Sequence, residues 1–396
     1  MKILMLLSRV PYLLDKGDKL RAFYQLQKLS EKHEITLFAL AEETDLLEEA
    51  TLELQKYCRQ VYLFPRPKAS IFRNLAGAFQ NKKPIQVNYF YDAKAQKQIN
   101  QLIAEHQPDH IYCQLIRMAE YVRHIKNIPK TLDYMDAFSK GMQRRSEIAP
   151  FYLKPVFALE ALRLKKYEAA VFPDFRYKTI ISRQDRDFIA HSRHKDITIV
   201  PNGIQTSYFH PLDLPKQYDV VFTGNMNYAP NIEAAIFLVK KVLPLVKEQF
   251  PAIKILLAGA NPSYQVQTLE SAHVTVSGWM PDIREAYSSA HVFAAPLFIG
   301  SGVQNKVLEA MAMKVPCVTT QLVNNGVGAA NNCHLLVANT PAEFARHIGT
   351  LLSNPALKEQ LTKRALDFVH ENYSWSKAVA PLEQVFDPEY ENVEHS

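Results

Sequence analysis

The chain has 396 residues, 47% of them hydrophobic and 22% charged, proportions of a water-soluble globular protein. That length exceeds one ordinary core, so two domains of roughly 150–200 residues each are expected. The four cysteines, Cys58, Cys113, Cys317 and Cys333, share no C-x-x-C spacing and have no histidine cluster beside them, which argues against a disulfide framework or zinc site and for a reducing compartment.

The net charge of +6 is unevenly divided. Residues 1–200 hold 33 Lys and Arg against 23 Asp and Glu, or +10, whereas residues 201–396 hold 13 against 17, or −4. No acidic residue lies between Glu53 and Asp92, but Lys56, Arg59, Arg66, Lys68, Arg73, Lys82 and Lys83 do. Two domains with different partners follow. No nucleic-acid-binding motif accompanies the charge.

In chain order, "MKILMLLSRVPYLL" opens with an apolar run that Ser8 and Arg9 cut short, with no small-residue cleavage site after it. A buried first strand fits better than a signal peptide. No apolar run reaches the roughly 18 residues of a membrane span. "EITLFAL", "QVYLF", "DHIYCQ", "KTLDYM", "YKTIIS" and "DITIV" continue as strands, with "DKLRAFYQLQKLSEK" the clearest helix among them. Later strands are "YDVVFTGN", "IKILLAGA", "HVTVSGW", "HVFAAPL" and "PCVTT", separated by helices such as "NIEAAIFLVKKVLPLVKEQF" and "PDIREAYSSA". Near-continuous apolar strands alternating with helices predict parallel sheets covered on both faces. The junction falls in "VPNGIQTSYFHPLDLPKQ", residues 200–217, where Asn202-Gly203 suggests a positive-φ turn, as a hinge or as part of a site. The expected architecture is α/β, with two Rossmann-like domains whose ligands bind at the carboxyl ends of the strands, facing a central cleft.

The segment "GSGVQNKVLEA", 300–310, sets glycines before a helix starting near Gln304. Amides at a helix start and the helix dipole form a phosphate cradle. Lys306 would add a full charge toward a diphosphate, and Glu309, on the same helix face, would accept from a ribose diol. A plain loop with a surface ion pair is the competing reading. Gly224 and Asn225, at the end of "VFTGN", offer amides to a phosphate or sugar, or simply connect strand to helix. Trp279-Met280 offers a stacking surface for a base, or packing. Gly17, between the first strand and first helix, lets backbone approach a ligand closely, with an Asp18 helix cap as the alternative. Asp133 and Asp136 stand at a strand end as candidate acceptor-side carboxylates, or as caps, and Asp136 joins Lys306 and Glu309 as a candidate catalytic group. "RPKASIFRNLAGAFQNKKP" spaces Phe72, Leu75, Ala76 and Phe79 helically among basic residues. It reads as a helix drawn to an anionic membrane through residues 66–83, or as a core-facing helix with a solvated basic face.

In their order, "VPYLLDKGDKLRAF", "VPNGIQTSYF", "VFTGNMNYAPNIEAA", "SGWMPDIREAY", "SGVQNKVLEAMAMKVPCVTT" and "ENYSWS" resemble glycosyltransferase family 4, of the GT-B fold, over nearly the whole chain. The resemblance is strongest to the sugar transferases associated with PEP-CTERM/exosortase exopolysaccharide clusters. It implies retaining transfer from a nucleotide-sugar donor, without an essential metal or other cofactor, to a glycan or lipid-linked acceptor in the cytoplasm. It also implies an acceptor domain at 1–205, a donor domain at 206–375 and a helix returning to the first domain within 376–396. By position, Glu309 looks like the ribose-binding carboxylate, Gly302 and Val303 like diphosphate amides, Trp279-Met280 like the base site and Gly17 like the first-domain loop glycine. Two positions depart from the family. Ser301 stands where the E-x7-E motif has its first glutamate, and Asn225 with Ala229-Pro230-Asn231 stands where many members carry an arginine and a lysine. Lys306 is the expected substitute for that charge. A 2-epimerase of nucleotide sugars and a non-catalytic nucleotide-sugar-binding protein are the alternatives.

Overall fold

The computed structural model describes residues 1–14, 16–42, 45–66, 82–299 and 303–386. The chain divides into two compact units, Met1–Pro201 joined by the chain from Ala378 onward, and Asn202–Lys377.

The first unit is built on seven strands: β1 (Lys2–Leu7), β2 (Glu34–Ala41), β3 (Gln60–Pro65), β4 (His110–Gln114), β5 (Lys130–Asp133), β6 (Tyr177–Ile180) and β7 (Thr198–Ile199). They lie in the order β3-β2-β1-β4-β5-β6-β7, and every pair is parallel. The apolar runs are buried on both faces. Within β1 only Lys2 is exposed, as expected of a central strand covered by helices above and below. The chain from Ala378 belongs to this unit through the helix Trp375–Val385. Phe386 sets its ring edge-on to His110 at 4.7 Å, and Glu383 pairs with Lys32.

The second unit has six strands: β8 (Tyr218–Thr223), β9 (Ile255–Ala258), β10 (Val274–Gly278), β11 (Ala290–Ala295), β12 (Cys317–Thr319) and β13 (Leu336–Val337). Their order is β10-β9-β8-β11-β12-β13, again parallel throughout. In both sheets the order reverses beside the first strand of the unit, between β1 and β4 and between β8 and β11. Such switch points open a crevice at the carboxyl ends of the strands.

Two local expectations are corrected. The helix expected over 231–250 is instead Ala229–Phe237, a π-helical turn Leu238–Val242 and Leu243–Lys247. Pro244 has no N–H to give and its ring crowds the carbonyl four residues back, so the ladder widens there. Asn202-Gly203 forms no positive-φ turn. Gly203 is small for a different reason: a Cβ there would stand 2.7 Å from the Trp375 backbone and ring.

Candidate functional site

In the second unit, three adjacent strands end in glycines with positive φ: Gly224 (153°), Gly259 (140°) and Gly278 (68°). A Cβ on Gly259 would meet the Gly224 carbonyl at 1.9 Å, so the backbones touch where they leave the sheet. A Cβ on Gly224 would stand 2.7 Å from Asn231 Nδ2 and 2.8 Å from Lys306 Nζ. The space a side chain would take is held by a lysine ammonium.

Lys306 sits in the first turn of the helix Asn305–Ala312, which follows β11 across the switch point from β8. Its Nζ donates to Asn231 Oδ1 at 2.6 Å and lies 4.9 Å from the centre of the Phe222 ring. Asn231 is buried and fixed from its other end, where Nδ2 donates to the Asn225 carbonyl at 2.9 Å. The amide therefore presents its oxygen to the ammonium, the one orientation that satisfies both contacts. Burial lowers the Lys306 pKa to about 8, with Glu309 opposing the shift.

Glu309 lies half-buried one turn on. Tyr287 Oη donates to its Oε2 at 2.8 Å and is 2.8 Å from Thr223 Oγ1. Burial pushes the tyrosine well above its ordinary range, so it stays a neutral donor. Burial also raises the Glu309 carboxyl, while the Tyr287 bond and Lys306 pull it down. Among the described residues nothing hydrogen-bonds to Oε1, which leaves an acceptor open beside an ammonium. The surface ion pair of the competing reading does not form, because Lys306 turns to Asn231 rather than to Glu309.

Trp279 follows β10 at the same carboxyl edge and is 69% exposed, so its ring is not packing. Met280 and Val303 are half-buried against the unit's core. Ser301 and Gly302 lie outside the described residues, as do residues 67–81 of the basic segment.

In the first unit, Asp133 does not face an acceptor. It is wholly buried and receives Arg21 Nε at 2.7 Å, Tyr112 Oη at 2.8 Å and the Met135 amide at 3.1 Å. Its charge is consumed by Arg21, equally buried on the helix Gly17–Leu29. Asp136 stays exposed at the carboxyl end of the sheet, after Met135 at φ 64°. Its crowded recess and the nearby carboxylate of Asp185 push it up to about 7, against Arg117. Gly17 is exposed at the first turn of its helix, where a Cβ would meet only Met135 at an ordinary 3.5 Å. Asp18 does not cap that helix; its side chain pairs with Arg9.

Residues 217–354 match the family described as glycosyl transferases group 1. The match contains the whole of the Gly224–Lys306–Glu309 arrangement. A Klebsiella pneumoniae protein, described as an uncharacterized 44.6 kDa protein in the cps region, is 25% identical over 96% of this chain and 98% of its own length. Phosphatidyl-myo-inositol mannosyltransferase of Mycobacterium leprae is 24% identical over 48% of this chain and 54% of its own. Sucrose-phosphate synthase from Thermosynechococcus elongatus has the same fold, with a TM-score of 0.70 at 16% identity over 99% and 100% of the two chains. Anabaena HepE, solved with UDP and glucose, aligns with a TM-score of 0.66 at 12% identity over 98% and 99%. The fold shared with these two structures, the GT-B architecture, thus extends over both units.

Within the group 1 region, the residues not anticipated from sequence are Asn231, Tyr287, Thr223 and Gly259. Asn231 lies 75 positions from the lysine it holds, and Tyr287 lies 22 from the carboxylate it orients. Neither spacing carries a local signature. Among the described residues no group of three His, Cys, Asp or Glu side chains is gathered as a metal site.

Proposed function

We propose that the chain is a retaining glycosyltransferase that moves a sugar from a nucleoside-diphosphate donor, bound by the second unit, to a glycan or lipid-linked acceptor. The observation that carries this reading is the Lys306 ammonium, held over Gly224 by Asn231 at the β8–β11 switch point with Glu309 beside it. The ammonium suits a diphosphate, and the open Glu309 oxygen suits a ribose hydroxyl. Exposed Trp279 offers a face to the base. Gly17, Gly224 and Asn225 with Ser301, Gly302 and Val303 complete the proposed donor set, and Asp136 is the proposed acceptor-side group.

As the anomeric C–O bond breaks, its electron pair leaves with the diphosphate. Lys306 and the helix-start amides stabilise that charge by about 2–4 kcal/mol per well-placed donor. The acceptor oxygen bonds to the anomeric carbon on the same face, and its proton passes to the departing phosphate. No protein nucleophile and no resident metal enter this scheme. The cps-region relative supports a place in exopolysaccharide synthesis; the assignment to clusters of the PEP-CTERM/exosortase kind and to the cytoplasm is our proposal from the sequence resemblance alone.

We further propose peripheral attachment to the inner membrane face through residues 66–83. No helix among the described residues is long and apolar enough to cross a membrane. Support for attachment comes from Phe151, Tyr152, Val156 and Leu159, all exposed near Lys154 at the start of the helix Lys154–Val171. Flotation with anionic and neutral vesicles measures it, and equal binding to both would remove the electrostatic part.

Thermal shifts with UDP, GDP, ADP, dTDP and CDP test the donor site. A ligand at 100 times its dissociation constant adds about 2.7 kcal/mol. One nucleotide should stabilise the wild type and do so much less in Glu309→Ala, whereas no shift with any would overturn the donor reading. Incubation with that nucleotide's sugar and no acceptor separates transfer from epimerisation, because only an epimerase would return an isomerised donor.

A further inference from the structure

The other switch point, between β1 and β4, carries a charge arrangement that the donor reading does not use. Arg9 follows β1, Arg66 follows β3 and Arg117 stands three residues beyond β4. All three guanidinium groups gather on one ring, with Arg66 and Arg117 each 4.6 Å and Arg9 5.6 Å from the centre of Phe90. Cation–π attraction explains one such contact. It does not explain three like charges around a single ring, because they repel one another.

Among the described residues three carboxylates stand nearby, Asp18, Glu42 and Asp136, and none of them hydrogen-bonds to Arg66 or Arg117. Asp18 pairs closely with Arg9 and is 3.9 Å from Arg117. Glu42 is 3.7 Å from Arg9 and 3.8 Å from Arg66, beyond hydrogen-bond length. Nε of Arg9 and Nε of Arg66 are buried and have no hydrogen-bond partner among the described residues. The Arg66 side chain is only 3% exposed and its Nη1 donates to the Tyr89 carbonyl at 3.0 Å, whereas Arg9, at 22%, opens the cluster to solvent. A buried donor left without an acceptor is destabilising, the more so when charged. Burial and the proximity of Arg9 and Arg66 lower the Arg117 pKa to about 10, although Asp18 and Asp136 oppose this. Arg117 gives Nε and Nη2 to the neutral Gln86 Oε1 at 3.2 and 2.7 Å, so neither it nor Arg66 has a carboxylate within hydrogen-bond length where an α/β sheet receives its ligand. Guanidinium forks match phosphate and carboxylate in two-pronged geometry.

We infer that Arg9, Arg66 and Arg117 form an oxyanion site in the first unit, and that the acceptor carries a phosphate or a carboxylate bound there. The acceptor half of this inference rests on the proposed transferase reading; the anion site itself does not.

The test is calorimetric titration of the full chain carrying Lys306→Met, which removes the donor-side cation, with inorganic pyrophosphate and separately with D-glucuronate. Saturable binding of one probe is expected, weakened at least tenfold by Arg66→Gln and by Arg9→Gln. Pyrophosphate binding points to a phosphorylated acceptor, and glucuronate binding to an acidic sugar. Arg9, 22% exposed, serves if Arg66→Gln fails to fold. Binding of neither probe, or binding unchanged in the arginine variants, would overturn the site. Nucleotide shifts in the same arginine variants with Lys306 intact should match wild type. Their absence in wild type as well would sink the transferase reading and leave the anion result standing.

Discussion

Replacing Lys306 with methionine should make the protein more stable and a poorer binder of nucleotide at once. Methionine keeps the unbranched chain as far as the ε carbon and removes the ammonium. Burial takes the ammonium from its ordinary 10.5 to about 8, and each pKa unit corresponds to about 1.36 kcal/mol. Holding Lys306 charged at pH 7 therefore costs about 3 kcal/mol. Against that gain, the Asn231 carbonyl oxygen loses its charged 2.6 Å donor, worth about 2 kcal/mol; the Glu309 attraction is already contained in the lowered pKa. The variant should gain about 1 kcal/mol at pH 7. The sign with pH follows from linkage: a base whose folded pKa lies below its unfolded one releases its proton first in the folded chain. Wild-type stability then rises with pH between about 8 and 10.5, and the variant lacks that rise. Its advantage should be largest at pH 7 and gone by pH 10. Nucleoside-diphosphate affinity should fall by about tenfold or more, the value of one charge-assisted hydrogen bond. Urea unfolding at pH 7 and pH 10, with nucleotide titration at pH 7, measures all three. A variant clearly less stable at pH 7, or one that binds nucleotide as well as wild type, would refute the assignment.

Gly224→Ala forces a Cβ against Asn231 and the Lys306 ammonium at a φ of 153°. It should cost about 1–3 kcal/mol in strain and weaken nucleotide binding severalfold; calorimetry showing unchanged affinity would count against the cradle. Asp133→Ala strands the buried Arg21 guanidinium and should lose about 3–5 kcal/mol in urea unfolding, whereas a loss below about 1 kcal/mol would restore Asp133 to the acceptor side. Asp136 titrates near 7 against an ordinary 3.8, so its folded form favours the proton and stability falls as pH rises between those values. Asp136→Asn should flatten that part of the stability–pH curve, and an identical slope in both proteins would contradict the raised pKa.

Much of the fold is legible because strands buried on both faces appear as unbroken apolar runs. β1 and β2 are visible in "KILMLL" and "EITLFAL" for that reason. β13 is not, since Leu336–Val337 is two residues long and no pattern fits in two residues. The candidate site is legible where its residues fall on one local segment: the glycine at the end of β8 and the lysine and glutamate of one helix turn. It is illegible where the function is a contact between distant segments. Asp133 at a strand end reads the same whether it faces a ligand or a buried guanidinium, and the partner that decides, Arg21, lies 112 residues away. The arginine cluster failed for the same reason. Arg9, Arg66 and Arg117 belong to three segments that only the sheet order β3-β2-β1-β4 brings to one end.

The two switch points carry cations of different kinds, and the difference has a chemical consequence. Arginine stays protonated even when lowered to about 10, so the first unit's charge is permanent across physiological pH. Lys306, near 8, is close enough to neutrality that its ligand helps to charge it. A diphosphate beside the ammonium raises that pKa, so binding takes up a fraction of a proton above pH 8 and release returns it. Affinity for a nucleoside diphosphate should therefore decline as pH rises through 8 to 10, and in Lys306→Arg that decline should vanish. Calorimetric titration in two buffers of different ionisation enthalpy reads the proton uptake directly. Zero uptake at pH 8.5 in the wild type would mean that the nucleotide does not meet Lys306.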